Sequence, residues 1–333
     1  MNRLKYICIV LLLGIGLKTE AQDPQFSQFY AAPTYLNPAF AGTSVQSRVI
    51  MNYRHQWPSI PGAFVTYNFS YDINVESINS GLGFLMTHDK AGSGGLRFTT
   101  IAGQYVYQLK LNQKWFLRPA VQYGFSWRDV DWMNLTFGDQ LIRGGDVTSS
   151  EFITGDKVKY FDFSSGMLLF SKKSWLGVSA HHINEPNESL KGDESPLPIK
   201  YSVHGGYVFK IHTIGDKNVD AKIKAAFNFK SQNKFDQLDL GVYYEHNPIV
   251  IGVWYRGIPL FKQYDDGYQN NDAVIALFGY NVKNLRIGYT YDMTISRLFS
   301  NTGGTHEISL TYEFASKEVS LSRRRRVVDC PKF

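Results

Sequence analysis

The chain has 333 residues, is 44% hydrophobic, and carries 21 Tyr, 23 Phe and 6 Trp with a formal net charge of +6. Beyond the N-terminus no apolar run reaches the ~18 residues of a membrane-crossing helix, which excludes a helical membrane protein and, with so many aromatics and 29 Gly, favours β structure. The charge sits at the two ends, on Arg3, Lys5 and Lys18 and on the tail from Lys317 onward, so the neutral stretch between gives no reason to invoke nucleic acid.

Residues 1–21 read as a signal peptide. Arg3 and Lys5 form a basic start, Tyr6 to Leu17 an apolar core, and Thr19-Glu20-Ala21 a small-x-small cleavage site before Gln22. Cys8 would leave with this peptide, so Cys330 is the one cysteine of the mature chain and an internal disulfide is ruled out. Residues 22–45 begin QDPQFSQFYAAPTYLNPAFAG. Pro24, Pro33 and Pro38 forbid a regular helix or central strand, yet Phe26, Phe29, Tyr30, Tyr35, Leu36 and Phe40 are too many apolar anchors for a free linker. The segment is expected to be irregular but docked, inside a barrel or across its mouth.

Fourteen candidate strands follow, at 47–57, 63–73, 81–88, 96–109, 115–127, 160–170, 175–182, 200–211, 221–230, 235–245, 249–255, 273–280, 285–293 and 305–314. An even number suits a bacterial outer-membrane barrel. In 221–230 Ala221, Ile223, Ala225, Phe227 and Phe229 fall on one face and Lys222, Lys224, Asn228 and Lys230 on the other. In 235–245 Leu238, Leu240, Val242 and Tyr244 oppose Gln237, Asp239 and Glu245, and in 285–293 Leu285, Ile287, Tyr289 and Tyr291 oppose Arg286, Thr290 and Asp292. The charges Lys222, Lys224, Asp239, Glu245, Arg286 and Asp292 recur on the face that would be inside, where the core of a soluble sandwich would not tolerate them unpaired. The connections alternate between short turns such as 111–113, 172–173 and 247–248 and longer segments such as 128–159, 183–199 and 256–272. That asymmetry is expected of periplasmic turns and external loops, with both termini periplasmic. The closing strand GTHEISLTYEF sets Ile308, Leu310, Tyr312 and Phe314 toward lipid and Glu307, Ser309, Thr311 and Glu313 toward the lumen. The fold class is therefore all-β: a transmembrane antiparallel barrel of about 14 strands over 46–315, followed by a basic tail, 316–333.

The Gln22 to Gly42 stretch and the closing HEISLTYEF resemble the PorP/SprF family of outer-membrane proteins attached to the type IX secretion system, and the mature chain has that family's length and strand spacing. The resemblance implies a binding partner of the secretion machinery. Family members support export of particular surface adhesins, hold them at the cell surface through a C-terminal signal domain, and associate with periplasmic ring lipoproteins. The competing expectation is a passive or ligand-selective pore in which the lumen charges act on solutes.

In the tail, Arg323, Arg324, Arg325 and Arg326 repel one another and cannot be buried together. They are expected to meet a periplasmic partner or anionic lipid headgroups, and Cys330 beside them is either a reactive thiol or a residue packed on a partner. Catalytic and cofactor signals are missing. His181-His182 is expected to point to opposite strand faces and so not to chelate. The acidic residues Asp131, Asp139, Asp146 and Glu151 match no calcium-loop spacing, and Gly92-Ser93-Gly94-Gly95 lacks the lysine of a phosphate loop. The expectation is a protein that is not an enzyme and uses no cofactor or metal.

Overall fold

The computed structural model describes residues 23–314 apart from 93, 132–134, 144–156, 191, 213–219, 259–262, 266–267 and 297–301. The expected signal peptide, the tail with Arg323 to Arg326 and Cys330, and the acidic residues Asp146 and Glu151 lie outside the described residues.

Fourteen long strands form the wall: β1 (Ser47–Gln56), β2 (Phe64–Val75), β3 (Ser80–Ala91), β4 (Leu96–Tyr107), β5 (Phe116–Asp129), β6 (Lys157–Phe170), β7 (Ser174–His181), β8 (Lys200–His212), β9 (Asp220–Gln232), β10 (Phe235–His246), β11 (Ile249–Gly257), β12 (Asn271–Val282), β13 (Leu285–Thr294) and β14 (Thr305–Phe314). Each pairs antiparallel with its sequence neighbours. The sheet then closes on itself, since β1 pairs with β14 over ten residues from Ser47 opposite Phe314 to Gln56 opposite Thr305. Closure leaves no edge strand, the condition for a sheet to sit in lipid. A two-residue strand, Leu109–Lys110, extends the β4–β5 turn, and a small hairpin of Gln263–Asp265 and Tyr268–Gln269 stands in the connection before β12.

The polarity is that of a membrane barrel. Val121, Leu240, Val242, Val253, Ile287 and Ile308 are among the apolar side chains exposed outward, whereas Arg48, Arg54, Asp72, Arg118, Lys224, Asp239, Arg256, Asp292 and Glu307 are buried inside. Alternation along each strand produces this directly, and among the described residues no helix is long and apolar enough to cross a membrane. Replacing Leu240 or Ile287 by Arg is expected to cost about 2–4 kcal/mol of folding free energy in lipid, read from urea unfolding in vesicles. Arginine at Thr290, which alternation alone marks as tolerated, is expected to destabilise as well. Thr290 is fully buried and its Oγ1 lies within 3.4 Å of the Gln28 amide, so the lumen there is filled.

Connections after even strands, where described, are short, and most of those after odd strands are long, which defines a turn end and a loop end of the barrel. Strand limits differ from the expected ones at two telling places. Trp57 and His182 were expected to finish strands, but both have positive φ and turn the chain out of the wall. The turn at His182 also corrects the expectation for the histidine pair. His181 and His182 are both buried, with ring centroids 6.3 Å apart, because residue 182 no longer obeys strand alternation.

Candidate functional site

The lumen is occupied by the chain's own segment 23–45. Its prolines limit it to short pieces: a 3-10 turn at Phe29–Ala31, one helical turn at Pro33–Leu36 with Pro at its start, and a second 3-10 turn at Pro38–Phe40 entered through Asn37, whose side chain accepts from the Ala39 N–H. Phe26, Phe29, Tyr30, Leu36 and Phe40 are all buried, and Tyr35 packs edge-on against Phe26 with centroids 5.2 Å apart. The segment starts at the loop end, where Asp23 meets Lys200 at the head of β8, and finishes at the turn end, where Gly42 N–H donates to Asp72 and β1 begins. It thus traverses the barrel. Asp23 and Phe314 lie at opposite ends, whereas β1 and β14 start and finish at the same one.

Four sets of contacts hold the segment. Nearest the loop end, Asp23 Oδ2 lies 2.8 Å from His182 Nε2 and 2.5 Å from Lys200 Nζ, and His182 Nδ1 lies 2.9 Å from Asp162. Below it, Ser27 and Gln28 enter a buried charge cluster. Their N–H groups donate to Glu307 at 2.7 and 3.1 Å, while Arg54 and Arg256 donate to Ser27 Oγ at 2.6 and 2.9 Å. Ser27 Oγ in turn donates to Asp292. Arg54 also reaches Asp292 and Glu307, and Arg256 reaches Asp239 and Asp292, so two guanidinium groups face three carboxylates. Removing one partner of such a set leaves an uncompensated buried charge. Arg256→Met is expected to destabilise the barrel by about 3–5 kcal/mol, measured as a lowered temperature of heat-modifiable gel mobility.

The middle contact set is aromatic. Phe29 and Tyr30 pack against Trp254 and Trp175, with Phe29–Trp254 centroids 4.7 Å apart and Tyr30–Trp175 centroids 5.7 Å apart, both edge-on. Tyr30 OH donates to the Gly205 carbonyl at 3.1 Å and accepts from Trp175 Nε1 at 3.3 Å. Trp254 has room because Gly241 stands opposite it on β10, where a Cβ would lie 1.9 Å from the indole. Toward the turn end, Asn37 Nδ2 donates to the carbonyls of Met167 and Val178, binding β6 to β7, and buried Arg118 donates to the carbonyls of Ala39 and Ala41.

Of the expected lumen charges, Lys224, Asp239 and Asp292 are buried, and Lys224 pairs with Glu245 at 2.6 Å. Arg286 pairs with Glu313 at 2.9 Å near the turn end, apart from the Asp239–Asp292 cluster, and Lys222 is half-buried. These residues do not converge on one site. Among the groups that grip the segment, alternation placed Glu307 on the lumen face, whereas Arg54, Arg118, Arg256, Trp175 and Trp254 were not singled out by sequence reasoning. Among the described residues no group of three or more His, Cys, Asp or Glu side chains converges as a metal site.

A closed 14-strand barrel with an apolar exterior and an internal N-terminal segment is the architecture on which the comparisons bear. The family described as "Type IX secretion system membrane protein PorP/SprF" matches residues 18–312. The chain belongs to the PorP/SprF family. Its localisation is accordingly the outer membrane. No curated protein matches it. Among solved structures, the toluene transporter TodX of P. putida is 11% identical with a TM-score of 0.44, covering 84% of this chain and 93% of its own. CdiB from Acinetobacter baumannii is 7% identical with a TM-score of 0.45 and covers 81% and 60%, and a triple mutant of Rh. blastica porin is 9% identical with a TM-score of 0.34 and covers 80% and 98%.

In this PorP/SprF chain the contact nearest the loop end is pH-sensitive. Burial alone would lower the pKa of His182, but Asp23 and Asp162 outweigh it and push it up to about 9. Burial alone would likewise raise Asp23, and the charges of His182 and Lys200 instead hold it well below the usual carboxylate range. A raised histidine contributes stability that is complete below its unfolded value of about 6.5 and lost as pH rises through about 9. Depression of Asp23 adds stability above about pH 4 that is lost only in stronger acid. Hydrogen exchange at residues 23–28 is therefore expected to accelerate between pH 7 and 10, more than the intrinsic base-catalysed rate, while that of β13 and β14 follows the intrinsic rate.

Proposed function

We propose that this protein is an outer-membrane partner of the type IX secretion machinery that supports export and cell-surface anchoring of an adhesin-type cargo through the cargo's C-terminal signal domain. Family membership supports the connection to secretion. The observation that carries binding over passive transport is the occupied lumen. Segment 23–45 crosses the barrel from one end to the other and is fixed by buried ion pairs, aromatic packing and carbonyl contacts, which supports a filled lumen over a solute channel. Cargo is held at the loop end, outside the cell, and the turn end faces periplasmic ring or peptidoglycan-binding lipoproteins. The tail 316–333, with Arg323 to Arg326 and Cys330, adds to the periplasmic contact.

Affinity purification of the full-length protein from native membranes tests this reading. A large exported surface protein and periplasmic lipoproteins are expected to co-purify, and deletion of 322–333 is expected to leave insertion intact but reduce lipoprotein recovery. Recovery of the barrel alone, with solute flux through it, would favour the pore.

A further inference from the structure

The rim of the barrel is uneven at the loop end, and a step falls between β6 and β7. β6 runs from Lys157 to Phe170, but β7 pairs with it only from Ser165 opposite Ala180 to Phe170 opposite Trp175. Lys157 to Ser164 therefore continue upward paired on one side alone, with β5, from Asp129 opposite Lys157 to Gln122 opposite Ser164. The chain that could have covered the other side turns away. His182 and Glu185 have positive φ, Pro186 has no N–H for a ladder, and Glu188 sits buried in the mouth, 2.7 Å from Arg128. That path leaves a loop-end cavity of about 430 Å³ over Gln25, against β8 to β14.

The lower part of the β6 edge is closed by the chain itself. Ile183 N–H donates to the Phe163 carbonyl at 2.9 Å, and the Asn184 side chain accepts from Phe163 N–H and donates to the Phe161 carbonyl, both at 2.9 Å. Odd-numbered residues of β6 thus aim their N–H and C=O groups away from β5. Above Asn184 nothing replaces the missing strand. Among the described residues no group pairs with the Phe161 N–H or with the N–H and C=O of Lys159 and Lys157. The closure stops where the apolar band stops. Phe161 and Phe163 are exposed outward, with Phe161 and Tyr123 centroids 5.4 Å apart, whereas the next outward residues are Lys159 and Lys157. Bare backbone groups are excluded from lipid but not from water, so the lysines mark the open part of the edge as lying in water.

An edge with unpaired backbone groups is a template for another strand. Its side chains say which one. Lys157 and Lys159 are exposed on the outward face. Asp129, opposite Lys157, is paired with Arg97 at 2.5 Å, the Lys157 ammonium lies 5.0 Å from the centroid of the Trp127 ring, and no carboxylate among the described residues pairs with either lysine. A second copy of this edge would set lysine against lysine, which disfavours self-pairing. An acidic strand would gain the backbone ladder and the charge pairs together. We propose that the loop-end edge of β6, Lys157 to Phe161, accepts by strand addition an extended segment of another polypeptide whose outward-facing residues are acidic. The edge alone carries this inference, which stands whether or not the strand belongs to secretion cargo.

The test uses full-length protein in detergent and a fluorescently tagged Gly-Ser-Glu-Val-Glu-Val-Glu-Gly peptide. Glutamates placed opposite the lysines turn their own N–H groups to the edge, and the valine N–H groups face away. The peptide is expected to bind saturably, its form methylated on the glutamate nitrogens at least about tenfold more weakly, and its form methylated on the valine nitrogens nearly as well as the parent. In residue-resolved hydrogen exchange the amides of Lys157, Lys159 and Phe161 are expected to be fast in the free protein and to slow at least about tenfold with peptide, while Val158 and Tyr160, which face β5, stay slow throughout. Lys159→Pro removes an N–H that faces the open side and is expected to abolish binding. Lys157→Glu combined with Lys159→Glu is expected to move binding to the peptide with lysine in place of each glutamate, which covers a misfolded proline variant. Slow exchange at Lys159 in the free protein would mean that this chain or a second copy already covers the edge, and would overturn the proposal. Equal binding of the glutamate-methylated peptide, or no saturable binding, would overturn it as well.

Discussion

Purified full-length protein is expected to be electrically silent in a planar bilayer, and deletion of residues 23–42 to convert it into an open channel. A 14-strand barrel is wider than the eight-strand barrels whose own wall side chains fill the interior, so closure must come from something inserted. Segment 23–45 is that insert. Its removal exposes the faces of Trp175 and Trp254 and leaves Arg54, Arg256, Asp239, Asp292 and Glu307 lining a wet passage. Those charges remain paired with one another and hydrate, so the wall survives the deletion better than it would if they had depended on the segment alone. The expected rise in conductance over the full-length protein is at least roughly tenfold, the difference between a filled lumen and an aqueous one. Should the deletion fail to insert, Gly166→Leu provides a gentler version. A Cβ there would lie 2.0 Å from Asn37 Oδ1, so the side chain forces the segment off the β6–β7 wall, and intermittent openings are expected. A silent channel in both variants would mean that the described loops or the wall close the barrel without the segment.

The wall was legible in the sequence because alternation with a period of two assigns faces without knowledge of partners. Leu240, Val242 and Tyr244 read as outward, and they are outward. Alternation says nothing, however, about what fills the inside. Trp254 and Tyr243 sit on the inward face of strands whose outward face is just as apolar, so hydrophobicity does not set them apart. The usable signal was cross-strand size complementarity: Trp254 faces Gly241, Tyr243 faces Gly252, and Trp175 faces Gly206 across the ladder. Reading it requires the register, which closing pairs and turns supply only once the strands are placed. The prolines and aromatics of the N-terminal segment led to the expectation that it is docked, but nothing in them gave a path. Ser27 and Glu307 are 280 positions apart, and no local pattern joins them. The same blind spot produced the expectation that Thr290 would accept arginine, which holds for an empty lumen and fails for a filled one.

The path of the segment makes a second large prediction. Because Asp23 lies at the loop end and β1 starts at the turn end, a residue near the start of the segment is expected to be reachable from outside the cell under the proposed orientation, in which the turn end faces the periplasm. Cysteines placed at Leu141, Gln25 and Lys172, each in a chain whose Cys330 is replaced by Ser, separate the possibilities. Leu141 is in the long β5–β6 connection and 68% exposed, Gln25 lines the loop-end cavity, and Lys172 is exposed in the β6–β7 turn. A membrane-impermeant maleimide added to intact cells is expected to label Leu141→Cys fully and Gln25→Cys substantially, and to leave Lys172→Cys unlabelled until the outer membrane is permeabilised. Labelling of Leu141→Cys without Gln25→Cys would mean that the segment does not reach the outer mouth. Labelling of Lys172→Cys alone would invert the barrel, placing the long loops in the periplasm and moving any cargo contact to the turns. The three positions share one detergent-solubilised control, in which all are expected to react, so a silent Gln25→Cys in cells reports topology rather than a buried thiol. With this threading the segment joins β1 at the turn end and its free end comes to lie at the loop end, so either the wall closes around the segment or the free N-terminus passes up the lumen from the turn end. A bulky folded domain fused ahead of Asp23 is therefore expected to block insertion, whereas a short flexible tag is expected to insert and to be reached by antibody on whole cells.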